Sequence, residues 1–144
     1  MSSTKPSWLG SPTPFDQVPV VVKAASVVVT PASGQVTTTL FTTPTTYSAG
    51  TYLVGMAIEG GGTFISTDWA FFRVSASTGS VSVYPEISLA FTNPVTGTGG
   101  TFLGTLTGIL VLPVASPIVY DVTTSLATAS KSFYGEGMWL QRIA

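Results

Sequence analysis

At 144 residues, with no cysteine and no histidine, the chain has the length of a single domain and lacks disulfides, thiolate metal sites and the commonest nucleophile–base pairs. Only 8% of its residues are charged, five basic and six acidic for a net charge of −1, against about 25% in an ordinary soluble domain. The bases Lys5, Lys23, Arg73, Lys131 and Arg142 are scattered and form no stripe to neutralise phosphates. No apolar run approaches the ~20 residues of a membrane helix, so neither nucleic acid nor membrane is an expected partner.

Residues 1–17 contain Pro6, Pro12 and Pro14 and no apolar period. Proline fixes φ and pushes its predecessor extended, so this stretch reads as an arm without hydrogen-bonded structure of its own. Its anchors to a docking surface, which is either a partner or its own domain, would be Trp8, Leu9 and Phe15. Lys5 is followed by Pro6-Ser7-Trp8-Leu9-Gly10 rather than an apolar segment, so no cleavable secretion signal is expected.

From Val18 onward every signal is β. Val18–Val22 and Ser26–Thr30 are valine-rich, and Pro31-Ala32-Ser33-Gly34 is a turn. A threonine-rich strand spans Gln35–Thr42. In 50–59 large residues at Tyr52, Val54, Met56 and Ile58 alternate with mostly small or polar ones, the pattern of a half-buried strand. Glycines 60–62 are expected to turn the chain. The stretch 68–74, Asp-Trp-Ala-Phe-Phe-Arg-Val, is aromatic on both parities, which predicts burial on both faces, one in the core and one against another subunit. Further strands are expected at Ile87–Thr92 and Thr101–Leu106, then two more flanking Pro113-Val114-Ala115-Ser116-Pro117, and a closing one over Met138–Ile143. Nine or ten short strands without a helical period or an internal repeat give an all-β sandwich over 18–144.

Little of such a sandwich can be kept in solution by charge. Either serine and threonine coat it, or other subunits cover much of it, since obligate interfaces are more apolar than free surface.

The segments Gly50-Thr51-Tyr52-Leu53-Val54, Gly108-Ile109-Leu110-Val111-Leu112 with Ser116-Pro117-Ile118-Val119-Tyr120-Asp121-Val122, and Gly135-Glu136-Gly137-Met138-Trp139-Leu140 resemble, in their order, the C1q/TNF-like jelly roll. The resemblance covers about residues 18–144 and departs from the family at Ser116-Pro117 and in having no calcium-binding acidic cluster or collagen-like stalk. It implies a jelly-roll β-sandwich of about ten strands assembling as a homotrimer. Tyr52, Phe71, Phe72 and Trp139 could stack on sugars or nucleobases, but buried aromatics dominate core and interface energetics, so the trimer interface or core is their expected place. With the proline-rich arm and the threonine-, serine- and glycine-rich body, the chain also looks like bacteriophage virion proteins of this fold. That implies either a capsid decoration (cement) protein on the virion surface, docked on the major capsid protein, or the receptor- or glycan-binding head of a fibre or adhesin.

Catalytic chemistry is poorly supplied. Glu59 and Asp68 flank the glycine turn and could meet as a carboxylate pair for a metal or for acid–base work, although solvated loop carboxylates are the plainer reading. Asp121 belongs to the strand face opposite Tyr120 and Val122, and Arg142, if buried, needs a carboxylate such as Glu136. The glycine clusters are followed by no Gly-Lys-Ser/Thr, and no base is present to activate a serine. No catalytic residue, metal or cofactor is expected.

Overall fold

The computed structural model describes residues 19–90 and 100–144, and the arm anchors Trp8, Leu9 and Phe15 lie outside them. Nine strands fill the described residues: β1 (Val20–Lys23), β2 (Val27–Val29), β3 (Gly34–Thr42), β4 (Gly50–Gly62), β5 (Trp69–Ala76), β6 (Glu86–Ala90), β7 (Gly100–Leu112), β8 (Ile118–Leu126) and β9 (Ser132–Arg142). They form two antiparallel sheets. One has the order β1-β9-β4-β7, with β2 also on β9, and the other has the order β3-β8-β5-β6. Only β5 and β6 pair as sequence neighbours, and from β2 onward every other connection crosses between the sheets, the strand order of a jelly roll.

Alternation explains the core. Tyr52, Val54, Met56 and Ile58 of β4 point inward with Leu106, Leu110 and Leu112 of β7 and Phe133, Met138 and Leu140 of β9. Ala70, Phe72 and Val74 of β5 meet them from the other sheet, with Ile118, Tyr120, Val122 and Leu126 of β8. Phe133 packs edge-on to Phe64 at 5.8 Å and tilted to Phe72 at 6.2 Å, arrangements that aromatic quadrupoles favour. The Tyr120 hydroxyl crosses the sandwich and donates to the Trp139 carbonyl at 3.0 Å, and burial pushes its pKa up.

Two expected breaks are absent. Glycines 60–62 continue β4 instead of turning it, because β7 pairs with this end on one side and β9 on the other (Gly60↔Phe102 and Phe133, Gly61↔Thr101 and Ser132). A ladder on both edges satisfies the backbone and outweighs glycine's weak strand preference. Likewise β7 runs unbroken through Gly108, where a side chain would meet Pro85 with its Cβ 2.7 Å from the Pro85 Cβ. The Gly135-Glu136-Gly137 cluster is an irregularity inside β9: Ala57 pairs with Glu136 but Gly55 with Trp139, and Gly137 takes φ 55°.

Candidate functional site

The outer face of the β1-β9-β4-β7 sheet is built from the residues that alternate with the core set. One row across it runs Val21, Trp139, Gly55, Thr107 and another Val28, Tyr134, Glu59, Leu103; between and beside them lie Ala57 with Glu136, and Leu53 with Ile109. Gly55 is required by Trp139: the indole covers it so closely that a Cβ there would stand 2.7 Å from Nε1. Leu103 is 77% and Val21 60% exposed, so the face is open, and it mixes these apolar side chains with Thr105, Thr107, Gln141, Glu59 and Glu136. A shallow depression at one end is lined by Ala57, Glu59, Leu103, Tyr134 and Glu136.

No described cation shares this face. Lys23 lies over the Phe41 ring, 5.8 Å from its centroid. Arg142 donates to the Ala49 and Ala144 carbonyls at the sheet's end, Lys131 is buried, and Arg73 belongs to the other sheet.

The outer face of the β3-β8-β5-β6 sheet differs in character. Trp69 and Phe71 stack with centroids 5.7 Å apart and planes 4° from parallel. Arg73 Nε donates to Asp121 Oδ1 at 2.9 Å and to Oδ2 at 3.2 Å, and Thr37 and Thr123 share a hydroxyl hydrogen bond of 2.8 Å. Burial pushes the Asp121 carboxyl up, against the opposing pull of the Arg73 hydrogen bonds and charge.

A third cluster closes one end of the sandwich. The Asp68 carboxylate accepts the Ile65 N–H on Oδ2 at 2.9 Å and the Ala127 N–H on Oδ1 at 2.8 Å. Lys131 Nζ lies 3.4 Å from Oδ2 and donates to the Thr128 carbonyl and hydroxyl at 3.0 and 2.9 Å. Desolvation alone would raise the Asp68 pKa, but the two backbone donors and Lys131 together hold it below its ordinary value. The group ties the β4–β5 loop to the β8–β9 loop; every polar atom named is occupied by the protein itself, which marks a structural clamp.

The carboxylate pair weighed against the plainer reading of solvated loop carboxylates does not form: Glu59 is on an outer face and Asp68 inside the clamp. Asp68 is therefore no solvated loop residue, and no simple sequence signal marks its partner Lys131, which belongs to a distant loop. Arg142 takes carbonyls rather than Glu136, which lies on the outer face. Tyr52 and Phe72 are core residues, whereas Trp139 and Phe71 occupy the outer faces of opposite sheets. Asp121 does face away from Tyr120 and Val122, as expected, but is buried against Arg73. Among the described residues no group of three or more Asp or Glu side chains could hold a metal ion, and no helix is long and apolar enough to cross a membrane.

No protein-family model matches the sequence, and no curated protein does. Among solved structures, a chain from the structure of infectious bursal disease virus Gx strain is similar, with a TM-score of 0.45 and 15% sequence identity over 89% of this chain. The match takes in 38% of that chain, well under half its length.

Proposed function

We propose that the protein is a non-enzymatic structural component of a virion: a homotrimeric, C1q/TNF-like capsid decoration (cement) protein of a bacteriophage, attached to the major capsid protein through residues 1–17. The observation that carries the reading is the outer face of the β1-β9-β4-β7 sheet, which exposes Val21, Val28, Leu103 and Ile109 and holds no described cation. A chain with 8% charged residues gains solubility by covering such a face with further copies of itself. The jelly-roll strand order agrees with the family resemblance of the sequence. Three copies would let three weak arm contacts act together, raising avidity without a large interface.

Deleting residues 2–17 tests this. The truncated chain is expected to keep the native mass of the trimer and to lose attachment to particles; attachment at full strength would refute the arm's role.

A second reading, the receptor- or glycan-binding head of a fibre or adhesin, is favoured by the Trp69–Phe71 stack, which stands on the sheet face turned away from the proposed contact between copies. A glycan-array signal lost in Trp69→Ala, in a protein without effect on particle stability, would establish that role instead.

A further inference from the structure

We infer that the cleft between Arg142 and Tyr47, at one end of the sandwich, binds a sugar ring that carries one carboxylate. The site is separate from the Trp69–Phe71 face and does not depend on how the chain is attached to a particle.

Strand parity builds the cleft. Met138 and Leu140 of β9 face the core, and the next residue on that side is Arg142, opposite Tyr52 of β4; Val20 of β1 stands opposite Leu140. A row of core residues thus ends on a cation. Thr46, Tyr47 and Ser48 of the β3–β4 loop form the facing wall, and together these residues line a cleft of about 200 Å³. The wall is held in place. The Tyr47 N–H donates to the Ser116 carbonyl and the Ser116 N–H to the Tyr47 carbonyl, both at 2.9 Å, and the Tyr52 hydroxyl donates to the Ser48 carbonyl at 2.8 Å. Tyr47 meets Tyr52 edge-on, with ring centroids 6.1 Å apart. The cleft is therefore preformed, as ligand sites usually are, and it is smaller than the roughly 300–1,000 Å³ of drug-sized pockets, which suits one ring rather than a chain of them.

Its chemistry selects the ligand. Arg142 Nε donates to the Ala144 carbonyl at 3.2 Å and Nη2 to the Ala49 carbonyl at 3.3 Å, bonds that orient a planar fork with more donors than these two carbonyls occupy. No described carboxylate lines the cleft. Glu59 and Glu136 line the depression on the outer face, Asp68 is in the clamp, Asp121 is on Arg73, and Glu86 is on the opposite sheet. A ligand carboxylate meets the guanidinium in paired, charge-assisted hydrogen bonds, the geometry this group favours. The Tyr47 ring offers an apolar body for the C–H face of a sugar, and its phenol, with Thr46 and Ser48, supplies polar groups for the sugar hydroxyls. Burial pushes the Tyr47 phenol up, so it remains a donor at neutral pH. A single guanidinium matches a single negative charge, and the aromatic wall calls for more than a bare anion.

The test is titration of the full chain, followed by its amide NMR signals, with methyl β-glucuronide, its uncharged counterpart methyl β-glucoside, and acetate. The glucuronide is expected to bind at least about tenfold more tightly than either of the others, with the shifted amides at residues 46–48, 52 and 140–142. Arg142→Gln should bring the two glycosides to within about twofold of each other. Arg142→Lys keeps the charge and loses the fork, so it should lose most of the preference, and it carries the test if Arg142→Gln does not fold. No saturable shift with glucuronide up to about 20 mM, equal affinity for the two glycosides, or a preference that survives in the folded Arg142 variants would overturn the site. Acetate binding as tightly as the glucuronide would overturn the sugar and leave a bare carboxylate site. Shifts gathered at Trp69 and Phe71 instead would place the sugar on the opposite sheet and overturn the cleft.

Discussion

Asparagine in place of Asp68 changes one oxygen to an NH2 group and removes one charge, in a side chain with 0% of its surface exposed. The carboxylate serves the Ile65 and Ala127 N–H groups on different oxygens. An amide can accept from only one of them and must set its own donor against the other. An orphaned buried donor costs about 1–3 kcal/mol. The substitution also leaves Lys131, whose side chain is 4% exposed, as a buried cation without its counter-charge, and breaking a buried pair from one side costs about 3–5 kcal/mol in all. A loss of about 3–5 kcal/mol is therefore expected, a shift of about 2 M in the urea midpoint if the denaturant slope is about 2 kcal/mol per M. Adding Lys131→Met removes the stranded charge, so the double variant should be less destabilised than the sum of the two single changes, by about 2 kcal/mol. The assay is urea unfolding at neutral pH followed by tryptophan fluorescence. A loss under about 1 kcal/mol in Asp68→Asn, or strict additivity in the double variant, would refute the clamp. The pH dependence has a definite sign. The Asp68 pKa is lowered in the folded state, so its contribution is present above the ordinary carboxylate range and is lost as pH falls through the lowered value; Asp68→Asn should flatten the acid side of the stability profile.

Other positions give sharper local tests. Thr124 Oγ1 is buried with no hydrogen-bond partner among the described residues, so Thr124→Val should be neutral or stabilise by up to about 1 kcal/mol in thermal unfolding, and a loss above that would mean the hydroxyl is satisfied. Gly55→Ala puts a methyl group 2.7 Å from the Trp139 indole; the ring must lift from the sheet, at a cost of about 1–3 kcal/mol, with a changed near-UV circular dichroism spectrum. An unaltered spectrum would show that the indole does not rest there. The Ser116 hydroxyl accepts the Thr78 N–H at 2.9 Å and donates to the Pro117 carbonyl at 2.7 Å. Ser116→Ala should therefore cost about 1–3 kcal/mol in urea unfolding; no measurable loss would mean water or another group replaces both bonds.

The parts of the fold legible in the sequence are those set by local alternation. Tyr52, Val54, Met56 and Ile58 announce a strand and its buried face without any partner in view. In 68–74 the expected burial on both faces holds for the inward Ala70, Phe72 and Val74, while Trp69, Phe71 and Arg73 on the outer face are only half-buried. Glycines 60–62 and Gly108 were illegible for the opposite reason. Glycines 60–62 are held extended by β7 and β9 alongside β4, and Gly108 by its pairing with Val54, with Pro85 leaving no room there for a side chain; these contacts are made across long stretches of chain. The candidate surface shows the same limit. Parity tells that Trp139 and Phe71 leave the core, but only the strand order puts them on opposite sides of the sandwich. Asp68 looked like a loop carboxylate because nothing in its neighbourhood names Lys131.

The place of β9 between β4 on one side and β1 and β2 on the other has a consequence for how the protein is made. Until residues 132–142 leave the ribosome, β1 and β2 have no strand to join, and β4 presents an open edge along most of its length. β1 and β2, at one end of the described sequence, and β9, at the other, thus complete the sheet together. Folding of the nascent chain is then expected to be a single late event, with arrest before β9 leaving a species that exposes both a long strand edge and the apolar core, and is prone to aggregate.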